Sequence, residues 1–146
     1  MIATVTVNPS IDQHMIVSLL KKDDAVRVQR WWRDPGGKGI NVSRVIRELE
    51  GESLAICTTG GCAGYMLKSL LSERHIQFKA FDVLEETRIN LIVTDESDGS
   101  QTRLSVPGPR MPLIQSEEFF EQIVSIEPFP EWWVLVKKGP GPFFKG

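Results

Sequence analysis

Asp34-Pro35-Gly36-Gly37-Lys38-Gly39-Ile40-Asn41-Val42-Ser43-Arg44 is the stretch on which the reading of this chain turns. Three glycines and a proline within six residues interrupt whatever precedes them. Behind them Val42, Val45, Ile46 and Leu49 fall at i, i+3, i+4 and i+7. That spacing predicts a helix with one apolar stripe turned to a core, closed by Gly51. A glycine turn that opens a helix leaves free amides at the helix N-terminus, and its missing side chains let an anionic or polyhydroxylated ligand come close. It is not a Walker A loop, which needs Ser or Thr directly after Gly-Lys, whereas Gly39 follows Lys38. The same residues equally suit a turn that only joins a strand to a helix.

Upstream, residues 2–7 alternate Ala3, Val5 and Val7 with Thr4 and Thr6 as a first strand, which Asn8-Pro9-Ser10 breaks. Two more alternating runs, residues 15–20 and 25–32, flank the charged turn Lys21-Lys22-Asp23-Asp24 and predict an antiparallel pair. Downstream, residues 53–59 form a short apolar strand closed by Gly60-Gly61. A helix over residues 64–74 then turns Met66, Leu67, Leu70 and Leu71 inward, and residues 76–83 give another strand. Residues 89–93 and 101–106 predict a hairpin with Asp98-Gly99 in its turn. Ser116 is the expected N-cap of a third helix through Val124, with Glu117 and Glu118 in its first turn. Residues 132–136 are the last expected strand.

Strands alternating with helices predict an α/β fold, a mostly parallel sheet with helices on its faces. The two hairpins interrupt that rhythm and predict a small separate sheet. After Val136 the chain reads Lys137-Lys138-Gly139-Pro140-Gly141-Pro142-Phe143-Phe144-Lys145-Gly146, which suits neither helix nor regular strand. A parallel sheet that stops there keeps an uncovered apolar edge, so the architecture is expected to be incomplete.

Composition excludes several partners. A formal net charge of −2 over 146 residues gives no electrostatic reason to expect nucleic acid or an anionic membrane. No apolar run approaches a membrane span, and Met1-Ile2-Ala3-Thr4-Val5 lacks a basic region ahead of a signal-like core, so a cytoplasmic protein is expected. Cys57 and Cys62 do not have metal-ligand spacing, and His14 and His75 are the only histidines; no metal site is expected, and the cysteines should be reduced and structural.

Arg88 and Asn90, two apart on a strand, point to one face, where a guanidinium beside an amide can grip a phosphate and a neighbouring hydroxyl. Arg103 on the partner strand could add a second cation. A solvated hairpin face would look the same. Asp12 follows the break after the first strand, at the strand end where open α/β sheets bind ligands, and could accept hydrogen bonds from sugar hydroxyls or simply shape a turn. Gly60-Gly61-x-x-Gly64 reads first as close strand–helix packing. Trp31-Trp32 and Trp132-Trp133 read as edge and core aromatics, since no basic groove accompanies them.

Five stretches together, T-V-N-P-S-I-D at 6–12, D-P-G-G-K-G-I-N-V-S-R at 34–44, G-G-C-A-G at 60–64, T-R-I-N at 87–90 and P-G-P at 107–109, resemble in order and spacing the PfkB (ribokinase-like) carbohydrate kinases. The likeness is close to the branch of 1-phosphofructokinase, 6-phosphofructokinase and tagatose-6-phosphate kinase, and runs from residue 1 to about Val136. It implies the amino-terminal half of a ribokinase-like domain over residues 1–136, whose lid strands span about 14–33 and 88–106. Asp12, Gly36, Gly37, Lys38 and Asn41 would contact the sugar, while Arg88, Asn90 and Arg103 would hold its phosphate. Lid strands with apolar Val26, Val28, Ile89, Leu91 and Val93 could pair two copies as a homodimer.

Members of the family move the γ-phosphoryl of ATP, with Mg2+, onto a sugar phosphate such as fructose 1-phosphate or fructose 6-phosphate. Their G-A-G-D motif, which supplies the base and an anion hole, has no counterpart here, because no G-x-G-D occurs in the sequence. Where the family reads serine-glycine-serine-leucine-proline-proline-glycine, this chain reads Lys137-Lys138-Gly139-Pro140-Gly141-Pro142. The resemblance therefore implies a sugar-binding half with no catalytic residue and no productive ATP or Mg2+ site, inactive alone. Its alternative is a remnant that only binds or dimerises.

Overall fold

Two four-stranded sheets organise the computed structural model, which describes residues 1–136. The elements run β1 (Ile2–Thr6), β2 (Ser10–Val17), β3 (Arg30–Gly36), α1 (Lys38–Glu48), β4 (Ser53–Thr59), α2 (Gly61–Glu73), β5 (Gln77–Asp82), β6 (Arg88–Asp95), β7 (Gln101–Leu104), α3 (Leu113–Val124) and β8 (Trp132–Leu135). The first sheet is parallel throughout, in the order β5-β4-β1-β8. The second has the order β3-β2-β6-β7, with β2 and β6 parallel and both outer pairs antiparallel. The fold is thus the expected α/β type, with the two interrupting segments joined in one small sheet. The Gly/Pro tail at 137–146 lies outside the described residues.

The period of two along β4 sorts the core. Ile56 faces Ala3, Val5 and Phe81, and is covered by Phe119 and Ile123 of α3. Ala55 and Cys57 face the other way, onto Ile40 of α1 and Ala63, Leu67 and Leu71 of α2. Leu67 and Leu71 are fully buried, and each such side chain stabilises the fold by about 1.5–3 kcal/mol. Ile11 of β2 is drawn into the same cluster and ties the second sheet to this layer.

Five local expectations are corrected. The stripe on α1 does not face the core: Val45 and Leu49 are 53% and 77% exposed, and the buried positions are Gly39, Ile40 and Ser43. Small residues win this face because α1 lies very close to β1. A Cβ on Gly39 would meet Val5 O at 2.8 Å, and the Ser43 and Thr4 hydroxyls share a buried 2.8 Å hydrogen bond. At its end Glu50, not Gly51, takes the left-handed conformation (φ 61°), and the Gly51 amide donates to Ile46 O.

The pair expected at 15–20 and 25–32 is antiparallel but displaced. β2 starts at Ser10 because its parallel register with β6 begins at Ser10↔Arg88 and continues for the length of the strand. Residues 18–29, with Val26 and Val28, are a connection rather than a lid strand, held where Leu20 N donates to Asp95 Oδ2 at 2.8 Å. Ser116 is not an N-cap, since α3 opens after Pro112 and the Ser116 amide already bonds back to Pro112 O. Glu117 and Glu118 consequently lie beyond the first turn. Finally, α2 begins at Gly61, three residues ahead of the expected start.

The β6–β7 hairpin forms as expected, with Gly99 at φ 71° in its turn. Among the described residues β8 pairs only with β1, and Trp132 and Leu135 are exposed along that edge.

Candidate functional site

Asp12 on β2 and Asn90 on β6 are directly opposite in a parallel register, so their side chains rise from the same face. Asn90 Nδ2 donates to Asp12 Oδ1 at 2.9 Å, and the Ser10 hydroxyl donates to the same oxygen at 2.9 Å. The other end of the Asn90 amide accepts from Val106 N at 3.1 Å, which fixes the rotamer that presents the amide to Asp12. Asp12 Oδ2 lies over Gly36, where a Cβ would sit 2.6 Å from it; glycine is needed here for close approach.

Arg88 stands two residues before Asn90 on β6 and is half-buried. Its Nε–H donates to Pro9 O at 3.3 Å, Nη1 to Val106 O at 3.3 Å and Nη2 to Asn8 O at 3.4 Å. A guanidinium has five N–H groups, so about two remain for a ligand. Burial lowers the Arg88 pKa and the nearby Asp12 charge opposes that; the group stays cationic at any working pH.

Gly37, at φ 121°, takes a conformation that a side chain resists, and a Cβ there would meet Thr6 Cγ2 at 2.6 Å. It caps α1 without a side-chain acceptor. Ile40 N donates to Thr6 Oγ1 at 3.0 Å and Asn41 N to Gly37 O at 2.8 Å, which leaves the amides of Lys38 and Gly39 as open donors of the first turn. Lys38 and Asn41 are exposed at this helix start. Arg103 is opposite Ile92, hence on the face of Arg88 and Asn90, but its guanidinium lies along β7 and donates to Gln101 Oε1 at 3.2 and 3.0 Å. The fold brings Asp12, Asn90, Arg88 and Gly36 together and sets Gly37, Lys38 and Asn41 at the helix start. It leaves Arg103 on the same face, bonded to its own strand.

Three contributors carry no site signal of their own in the sequence: Ser10, Thr6 and the Val106 backbone. Ser10 and Thr6 lie inside the T-V-N-P-S-I-D stretch, where Ser10 reads as a breaker and Thr6 as a strand residue. The second glycine turn is occupied by the chain itself, since Gly60 N donates to Thr87 Oγ1 at 3.0 Å and Ala63 N to Glu86 Oε1 at 3.1 Å. Beside it a cleft of about 310 Å³ is lined by Gly64, Tyr65, Lys68 and Asp82 among others, with neither Asp12 nor Arg88 in its lining. Trp31 and Trp32 are exposed on the edge strand β3, Trp132 is exposed and Trp133 half-buried. Cys57 is buried and Cys62 exposed, both as free thiols. Among the described residues no helix is long and apolar enough to cross a membrane.

Residues 5–127 match the pfkB family carbohydrate kinases. The chain belongs to the PfkB family. It is 34% identical over 126 residues to the ATP-dependent 6-phosphofructokinase isozyme 2 of Escherichia coli K12, covering 86% of this chain and 41% of that protein. It is 32% identical over 142 residues to a tagatose-6-phosphate kinase of Staphylococcus epidermidis, covering 97% and 44%. Among solved structures, E. coli phosphofructokinase-2 in complex with fructose-6-phosphate superposes with a TM-score of 0.86 at 33% identity, over 99% of this chain and 47% of that one. A possible 1-phosphofructokinase from Thermotoga maritima gives 0.87 at 27% identity, over 99% and 46%. This PfkB chain therefore spans less than half the length of these relatives, and its two-sheet α/β architecture is theirs over the matched part.

Proposed function

We propose that this PfkB chain carries the sugar-phosphate-binding part of an ATP-dependent hexose-phosphate kinase, with the second sheet as its lid. The observation that carries the reading is the Asp12 carboxylate, held by Asn90 and Ser10 against Gly36, beside a half-buried Arg88 with N–H groups to spare. Asp12 Oδ2 accepts hydrogen bonds from ring hydroxyls, which the bare backbone at Gly36 allows to approach. Arg88 takes the sugar's phosphate on its remaining donors, a charge-assisted contact worth about twice a neutral one. The open amides of Lys38 and Gly39 add donors at the α1 N-terminus. Arg103 joins from β7 once its side chain leaves Gln101.

Catalysis needs a group that takes the hydroxyl proton and donors that hold the charge developing on the transferred phosphoryl. The family uses ATP, typically with Mg2+. Asp12 is already held by an amide and a hydroxyl. No G-x-G-D occurs in the 146 residues. The chain by itself accordingly binds the sugar phosphate without phosphorylating it.

Calorimetric titration with fructose 6-phosphate and fructose 1-phosphate tests this, with Arg88→Ala alongside and circular dichroism to establish that both proteins are folded. Saturable binding that the variant loses supports the reading. A folded wild-type chain that binds neither sugar phosphate overturns it, and ATP-dependent turnover of either overturns the assigned inactivity.

A second reading, association of two copies through the second sheet without catalysis, is favoured by the edge of β3, unpaired among the described residues, with Trp31 and Trp32 59% and 42% exposed. Sedimentation of Trp31→Ser against wild type separates it: a dimer that the variant dissolves supports it, and a monomeric wild type at high concentration removes it.

A further inference from the structure

Asp34 lies two residues ahead of Gly36 on β3, opposite Asp12, and the site above makes no use of it. Its carboxylate is only 14% exposed and accepts hydrogen bonds from the indole Nε1–H of Trp32 at 3.1 Å and from the Arg74 guanidinium, with His14 Nε2 3.5 Å away. The His14 and Trp32 rings lie parallel, 4.8 Å apart, so these side chains of the second sheet make one rigid plate around the carboxylate. Arg74 comes from the other layer. It is the C-cap of α2, whose Leu67 and Leu71 are fixed in the core beneath the first sheet. A cation there also suits the negative end of the helix dipole.

Among the described residues, Arg74–Asp34 is the one side-chain-to-side-chain polar bond between a helix of the main layer and the second sheet. The bonds of Arg88 and Asn90 stay within that sheet or reach its flanking backbone. Asp34 is joined to Gly36 through Pro35, which is buried and has a fixed φ, so a shift of Asp34 carries Gly36 with it. Asp12 Oδ2 rests against Gly36. The chain of contacts runs from Arg74 through Asp34 to the carboxylate assigned to the sugar.

We propose that Arg74–Asp34 is a latch that sets the angle of the second sheet over the start of α1, which makes both residues positioning residues for the sugar-phosphate site. The second half of that statement rests on the function proposed above; the latch itself does not.

Hydrogen exchange of the ligand-free chain and fructose 6-phosphate affinity are measured for wild type, Arg74→Gln, Arg74→Lys and the isosteric Asp34→Asn. Losing a partly buried charge-assisted pair should raise exchange of the amides in 31–36, Pro35 having none, by about three- to fivefold. The amides of β4 stay as protected as in wild type, and Arg74→Lys recovers part of the effect. Fructose 6-phosphate affinity falls by a similar factor in Arg74→Gln and Asp34→Asn. Unchanged exchange at 31–36, or an equal loss of protection in both sheets, overturns the latch. If exchange rises at 31–36 while affinity is unchanged, the latch stands and its positioning role is overturned. If wild type binds no sugar phosphate, the functional reading fails, and the exchange comparison alone decides the latch.

Discussion

One methyl group at Gly36 puts the geometry around Asp12 to the test. Built on the Gly36 backbone, a Cβ lies 2.5 Å from Ser10 Oγ, 2.6 Å from Asp12 Oδ2 and 2.7 Å from Asp12 Cγ, where ordinary contact begins at 3.4 Å. The carboxylate must therefore retreat by roughly 0.8 Å, the shortfall in van der Waals contact. Gly36 is not among the glycines with positive φ, so the backbone itself accepts alanine and the penalty is steric. A retreat of that size stretches the two 2.9 Å bonds from Asn90 and Ser10 beyond hydrogen-bonding range. Each is charge-assisted, but Asp12 is partly open to water, so the expected cost is about 2 kcal/mol, within the range for overpacking. In urea unfolding the midpoint of Gly36→Ala should fall by about 1 M with an unchanged slope. Fructose 6-phosphate affinity should fall by roughly tenfold or more, the equivalent of about 1.4 kcal/mol. In a Ser10→Ala, Asp12→Ala background the stability penalty of Gly36→Ala should shrink below about 0.5 kcal/mol, because Ser10 Oγ and the Asp12 carboxylate that it strikes are gone. The same penalty in both backgrounds would show that the clash lies elsewhere than at Ser10 and Asp12.

Three further outcomes are expected. Glu50→Gly should stabilise the chain by about 1 kcal/mol, raising Tm by about 3–5 °C, because Glu50 ends α1 at φ 61°; an unchanged or lower Tm contradicts this. Burial pushes the Cys57 thiol up to about 12, against an opposing pull from Lys68, so an aromatic disulfide reagent at pH 8 should find one fast thiol, Cys62, and a second only in urea; two fast equivalents would sink the assignment. Asp95 accepts from the Ser97 hydroxyl, Leu20 N and Ser97 N, which hold its carboxyl below the usual range. A depressed folded pKa contributes stability that is present above the unfolded value of about 3.9 and is lost as pH falls through the folded one. Asp95→Asn should therefore lower the urea midpoint at pH 7, with the gap to wild type closing as the pH falls below the unfolded carboxyl value. A gap that is independent of pH assigns the residue another role.

How far the sequence could be read depended on whether the deciding partner was local. The parallel sheet follows from strand and helix periodicities that each segment carries alone, and the glycine segment at 34–44 marks the start of α1 because glycine and proline act locally. Which face of α1 is buried was not local. The apolar stripe through Val45 and Leu49 is the obvious pattern, yet Thr4, Thr6 and Val5 O on β1 select the small-residue face at Gly39 and Ser43. The same holds for β2, whose start is set by Arg88 and Asn90 on a strand far away in sequence. Ser116 looks like a cap, but Pro112 already opens the helix, and only the extended segment before it shows why. At the candidate site, the motifs single out Asp12, Gly36 and Arg88, which the fold brings together. That Ser10 and Asn90 hold the same Asp12 oxygen, and that Arg88 commits three N–H groups to backbone, required the register of β2 with β6.

The most direct test of the central claim is a titration of the isotopically labelled chain with fructose 6-phosphate, followed through its backbone and Asn side-chain amide resonances. Saturable shifts are expected, confined to Ser10–Asp12, Gly36–Asn41 and Arg88–Asn90, with the Asn90 side-chain amide among the largest. A folded chain whose resonances do not move, or whose shifts gather instead around Gly60–Lys68, would contradict it.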